Sequence, residues 1–152
     1  MPGQDSLGRR TRRRRERLGR RLPAVFGAVL VLFGLSGFIA SANFAAGGAV
    51  HANHFLGVFE LNGWHNLLHI VSGSMLLTAA LLGPPLRAAV LLVATLYGLV
   101  ALYGFLGGSE LAGLVPVNAA DNVLHVVLSG VALGTAFLTI RRSRSARLPD
   151  PA

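Results

Sequence analysis

The 152-residue chain is 53% hydrophobic and only 13% charged, about half the ~25% charge of an ordinary soluble domain. That is too little to cover a water-soluble globule of one domain. The absence of cysteine excludes disulfides, thiolate nucleophiles and Cys-ligated zinc or iron–sulfur centres.

The net charge of +8 comes from fourteen Arg and no Lys. Nine of the Arg fall in the first 21 residues, four between 141 and 147, and one at Arg87. Charge confined to segment ends points to membrane topology and away from nucleic acid. Residues 1–22 carry the run RRTRRRRERLGRR and are expected to be disordered or a short interfacial helix. Their partner would be anionic lipid headgroups, worth about 1 kcal/mol per Arg near the surface.

Four apolar segments follow, at about 23–41, 64–82, 86–106 and 121–140, so the membrane domain is placed at 23–140. Each is about 20 residues, which at a rise of ~1.5 Å spans a hydrocarbon layer of ~30 Å. Pro23 is placed in the first turn of the first helix, and Gly83-Pro84-Pro85 ends the second. The fold class predicted is all-α, a four-helix transmembrane bundle of two tandem hairpins. Strands of a membrane barrel are not expected, because two-residue alternation is lacking.

Every Arg lies in the N-terminal tail, the 83–87 turn or the C-terminal tail 141–152. The connections 42–63 and 107–120 have none and carry His51, His54, Glu60 and Glu110. The positive-inside rule then places both tails and the tight turn in the cytoplasm of a bacterial plasma-membrane protein. Ala40-Ser41-Ala42 before Asn43 also fits a secretory cleavage site. The preceding apolar run of about 19 residues exceeds the usual ~7–15 of a signal core, and a retained first helix is expected.

An internal repeat is offset by 56 residues: FLGVFELNGWHNLLHIV from Phe55 against LAGLVPVNAADNVLHVV from Leu111. Gly57 matches Gly113, Asn62 matches Asn118, His65 faces Asp121, Asn66 matches Asn122, and His69 matches His125. The shared phrase is N-x-x-[HD]-N-x-x-H. FGLSG at Phe33 and YGFLG at Tyr103 echo each other more weakly. Two such hairpins are related by an axis along the membrane normal.

Asn62 and Asn118 are predicted N-caps, with Asp121 returning a bond from the N3 position. Residues four apart share a helix face, so Asn62, His65, Asn66 and His69, like Asn118, Asp121, Asn122 and His125, form stripes that avoid lipid. They are expected to meet inside the bundle, with Leu76 and Leu133 on the lipid side. A register-fixing hydrogen-bond network is the first reading. A metal or proton site of His65, His69, Asp121 and His125, with His51, His54 or Glu60 added, is the alternative, as is haem b between His69 and His125. Gly130-x-x-x-Gly134 and the small residues Ala94, Gly98, Ala101, Gly104 and Gly108 are assigned to close helix packing. No catalytic motif appears, so no enzyme and no cofactor is expected. A homo-oligomer is left open.

The spans, with the phrases GVFELNGWHNLLHIVSG and GLVPVNAADNVLHVVLSG, resemble a family of small bacterial four-helix membrane proteins known only as a domain of unknown function. The resemblance covers about 23–140. It implies a polytopic plasma-membrane protein and supplies neither substrate nor mechanism.

Overall fold

The structure, a computed structural model, describes residues 3–83 and 85–145, with side chains over 19–83 and 85–138. The described residues form four helices: α1 Gly3–Ala40, α2 Gly63–Leu82, α3 Leu86–Phe105 and α4 Ala119–Ser145. All four contain a segment long and apolar enough to cross a membrane: Gly19–Ala40, Gly63–Leu82, Leu86–Phe105 and Ala119–Leu138.

Local chemistry sets the helix ends. Asn62 caps α2, its side chain accepting from the His65 backbone N–H. The left-handed Gly83, at φ 95°, closes α2 with a bond to the Ala79 carbonyl, the usual C-terminal role of glycine. Arg20 reaches the same end and donates to the Ala80 carbonyl at 3.4 Å.

One expectation about α1 is corrected. The helix begins at Gly3 and includes the Arg-rich segment, so Pro23 lies inside it and not in its first turn. Pro23 removes the bond to the Gly19 carbonyl, and the helix continues through it. The predicted C-terminal tail is helical as far as Ser145, and 146–152 lie outside the described residues.

The chain folds as paired hairpins, α1 packing most closely on α2 and α3 on α4, with α1–α4 and α2–α3 closing the ring. α1 and α2 approach closely where Gly27 meets Gly73, each facing the other's carbonyl, and where Gly34 faces the Asn66 carbonyl. Phe26, Leu30, Leu76, Ala79, Val90, Val93, Ala132 and Ala136 form an apolar core. Leu76 is therefore inside, not on the lipid side. It stands seven residues below His69, and seven residues return a helix to nearly the same face.

Gly130 and Gly134 are also corrected. Both are exposed on the outer face of α4 and oppose no side chain. Leu133 is exposed as expected, along with Val29, Leu35, Val71, Leu92, Leu99 and Val127.

Each long connection folds into a β-hairpin. β1 (Asn53–Phe55) pairs antiparallel with β2 (Phe59–Leu61), and β3 (Glu110–Leu111) with β4 (Val115–Pro116). The turns repeat at the 56-residue offset. Leu56 and Gly57 have φ of 53° and 75°; Ala112 and Gly113 have 53° and 66°. The matched glycines Gly57 and Gly113 thus supply the left-handed turn position that other residues occupy at a cost.

A buried imidazole cluster inside a twofold frame

The two copies of the motif exchange bonds across the repeat. Asn62 Nδ2 donates to the Leu114 carbonyl at 2.6 Å, and Asn118 Nδ2 donates to the Val58 carbonyl at 2.8 Å. Val58 and Leu114 are themselves 56 residues apart, so each donor meets the counterpart of the other's acceptor. Both asparagines also cap their own helices, through His65 N–H at 2.9 Å and Asp121 N–H at 3.0 Å.

Asp121 completes the predicted capping box. Its Oδ2 accepts from the Asn118 N–H at 3.0 Å and from the Glu60 N–H, also at 3.0 Å. The second bond explains the one mismatch in the motif. The counterpart of Glu60 in the other copy is Pro116, which has no N–H. A carboxylate at position 65 would lack that donor. His65 instead turns Nδ1 to the Glu60 carbonyl at 2.9 Å. The Glu60 backbone thus serves Asp121 with its N–H and His65 with its oxygen.

Within this frame three imidazoles come together. His65 and His69 stack with ring centroids 5.0 Å apart, His65 and His125 lie at 5.5 Å, and His69 and His125 at 6.0 Å. One ring nitrogen from each can be chosen so that all three lie within 4.8 Å of one another. The three are at most 1% exposed. Asp121, expected among them as a ligand, has Oδ2 on two backbone N–H groups instead. His54 sits on the exposed hairpin 4.0 Å from Glu60, on the rim of the frame, and His51 is exposed.

The ring protons can be followed. A carbonyl only accepts, so His65 carries its proton on Nδ1 and its lone pair on Nε2. Ser72 Oγ lies 2.8 Å from the Leu68 carbonyl and 2.8 Å from Tyr97 Oη. A helical serine donates to the carbonyl four residues back. Ser72 then accepts from Tyr97, and Tyr97 accepts from His69 Nδ1 at 2.9 Å. His69 Nε2 is left with a lone pair and no partner among the described residues, and His125 Nδ1 is likewise buried without one.

Tyr97 and Ser72 were missed in the sequence. The available signal was a phenol in mid-span, a group that needs a partner when buried. Tyr97 lies 5.4 Å from both His69 and His125.

Asn66 and Asn122 take a different direction from the histidines. Asn66 donates to the Ser41 carbonyl at 2.8 Å, and its amide fills the space where a Cβ on Gly37 would project. The Asn122 amide stands in the same way against Gly104. The first and third helices therefore correspond as Gly37 to Gly104, an offset of 67, three residues from the register of the FGLSG and YGFLG echo.

Four membrane-crossing helices, paired as hairpins around a buried polar cluster, define a polytopic membrane protein of the all-α class. The chain belongs to the family described as Domain of unknown function (DUF4383), which covers residues 20–138. No curated protein and no solved structure matches it.

Proposed function

We propose that this chain is a non-enzymatic structural or interaction module of the bacterial plasma membrane, with both ends cytoplasmic and its Arg-rich segments on anionic headgroups. The observation that carries the reading is the reciprocal exchange from Asn62 to Leu114 and from Asn118 to Val58. It ties the outer ends of the two hairpins into one body, while apolar packing holds the inner ends.

The depth of the polar groups supports a fixed frame over a conduit. The polar column passes from Asp121 and His65 through His69 to Tyr97 and Ser72. Below it lie Leu30, Leu76, Val90, Val93, Ala132 and Ala136, all buried and apolar, and a charge entering that layer would cost several kcal/mol. The Ala40–Ala42 segment supports a retained first helix. Asn53 Nδ2 donates to the Ala40 carbonyl at 2.9 Å, Asn66 to that of Ser41, and the Gly63 N–H to that of Asn43 at 2.6 Å, so both sides of a cleavage site there are bonded into the bundle.

The test is a double-mutant cycle of Asn62→Ala and Asn118→Ala, read by unfolding in detergent. Each single change loses a cap, about 1 kcal/mol, and a cross-repeat bond, about 0.6 kcal/mol in a membrane protein. Coupling of at least ~0.5 kcal/mol is expected, because both residues hold the same interface. Strict additivity of two small effects would sink the proposal. A second reading, in which the cluster holds a ligand, is favoured by the unpartnered ring nitrogens.

A further inference from the structure

We propose that His65, His69 and His125 form a binding site for a borderline divalent transition-metal ion, for which zinc is the natural probe. This goes beyond the structural frame and stands or falls separately from it. The frame rests on the asparagine and aspartate bonds, whereas the site rests on ring nitrogens those bonds leave free.

Three observations converge. First, the cluster consists of buried imidazoles whose ligand atoms lie within 4.8 Å of one another. In a tetrahedron with zinc–nitrogen bonds of about 2.0–2.1 Å, ligand atoms are ~3.3 Å apart. Side-chain rotations that bring the nitrogens up to about 1.5 Å closer would close the cluster on an ion.

Second, His69 Nε2 and His125 Nδ1 are buried without a hydrogen-bond partner among the described residues. Buried polar atoms in native proteins nearly always have one. A cation that accepts a lone pair from each ring satisfies both atoms together.

Third, two of the rings are already oriented as metal ligands are. His65 fixes its proton-bearing nitrogen on the Glu60 carbonyl and His69 on the Tyr97 hydroxyl. A ligating histidine donates its other N–H in this way, which sets the tautomer and aims the free lone pair.

The donor set narrows the ion. Three imidazoles suit zinc, copper(II) or nickel, whereas calcium and magnesium require oxygen ligands. Three protein ligands leave a fourth position for water or a small anion. The charge of the ion is offset by the carboxylate of Asp121, one turn (~6 Å) along α4 from His125. Tyr97 is a positioning residue: it touches His69 Nδ1 at 2.9 Å and so fixes the orientation of that ring, leaving Nε2 without a partner among the described residues.

The experiment uses the full chain in mild detergent, stripped with a chelator and titrated with zinc alone. Wild type is expected to bind one zinc per chain, and zinc is expected to raise its unfolding temperature. His69→Gln and His125→Gln should each weaken binding by at least ~100-fold. Tyr97→Phe keeps the ring and removes the hydroxyl that orients His69. It should weaken binding by ~10–100-fold, the range for loss of such an outer partner, even if the glutamine variants fold poorly. The double variant His51→Gln/His54→Gln should bind like wild type. Loss of zinc from that variant would move the ion to the exposed hairpin and overturn the proposal. So would a wild-type chain that binds no zinc, or a Tyr97→Phe chain with undiminished affinity. The asparagine cycle, measured without zinc, reports on the frame alone, so failure of one can be told from failure of the other.

Discussion

Gly73→Ala puts the packing of the first hairpin to a quantitative test. A Cβ at Gly73 would stand 2.6 Å from the Gly27 carbonyl oxygen, 2.8 Å from the Val31 nitrogen and 2.9 Å from the Leu30 Cβ. Ordinary contact begins at 3.4 Å, so α1 must withdraw by about 0.8 Å. Two of the three atoms are backbone, and no flexible side chain can yield in their place. A radial gap of 0.5–1 Å forfeits roughly a quarter to a half of each dispersion contact along the seam, and overpacking of a well-filled core costs about 1–3 kcal/mol. The better helix propensity of alanine returns up to ~1 kcal/mol. With the full ~1 kcal/mol returned, the net loss expected is up to about 2 kcal/mol. Gly130→Ala is the control, because nothing lies within 4 Å of its added methyl, and propensity alone should leave it neutral or stabilised by up to ~1 kcal/mol. Unfolding with a denaturing detergent in mixed micelles measures both. Two substitutions of equal effect, or a stabilised Gly73→Ala, would refute the close approach of α1 and α2.

Further outcomes are expected. Reporter fusions within 83–87 and after Arg147 should read cytoplasmic and one at His51 external, while intact mass should retain residues 1–42; a mature N-terminus at Asn43 would contradict this topology. Asp121→Ala, which removes the acceptor of the Asn118 and Glu60 N–H groups, should destabilise by about 1–3 kcal/mol, and Asp121→Asn by less. His65→Asp should be worse tolerated than the motif suggests, because Pro116 offers no N–H to a second carboxylate. An aspartate there as stable as wild type in thermal unfolding would dismiss that account.

Much of this organisation was legible in the sequence because its causes are local. Unbroken apolar runs define the spans, and the 56-residue repeat brings Asn62, His69, Asn118 and His125 into matching places. The caps followed from residue type, and the meeting of the histidines from the cost of exposing polar groups to lipid. What escaped depends on contacts between distant segments. The short hairpins between α1 and α2 and between α3 and α4 have too few residues for strand periodicity to register, although Gly57 and Gly113 marked their turns. The separation of Asp121 from the histidines follows from the Glu60 N–H, 61 residues away. Tyr97 becomes part of the cluster only once α3 is set against α2. Gly130 and Gly134 show the converse: small-residue spacing marks a surface suited to close packing, yet both face away from the bundle.

The central claim is that the two polar faces meet inside the bundle, and cysteine-pair reactivity measures this directly. The chain has no cysteine of its own, so the introduced pair alone reports. Cysteines at 69 and 125 replace side chains whose ring centroids stand 6.0 Å apart. A short, membrane-permeable bifunctional thiol reagent should join them rapidly within one chain. Cysteines at 71 and 127, which replace Val71 and Val127 on outward faces, should react singly and not be joined. Rapid joining of the first pair alone is the result expected. Failure to join 69 to 125, or joining of 71 to 127 at the same rate, would contradict the account.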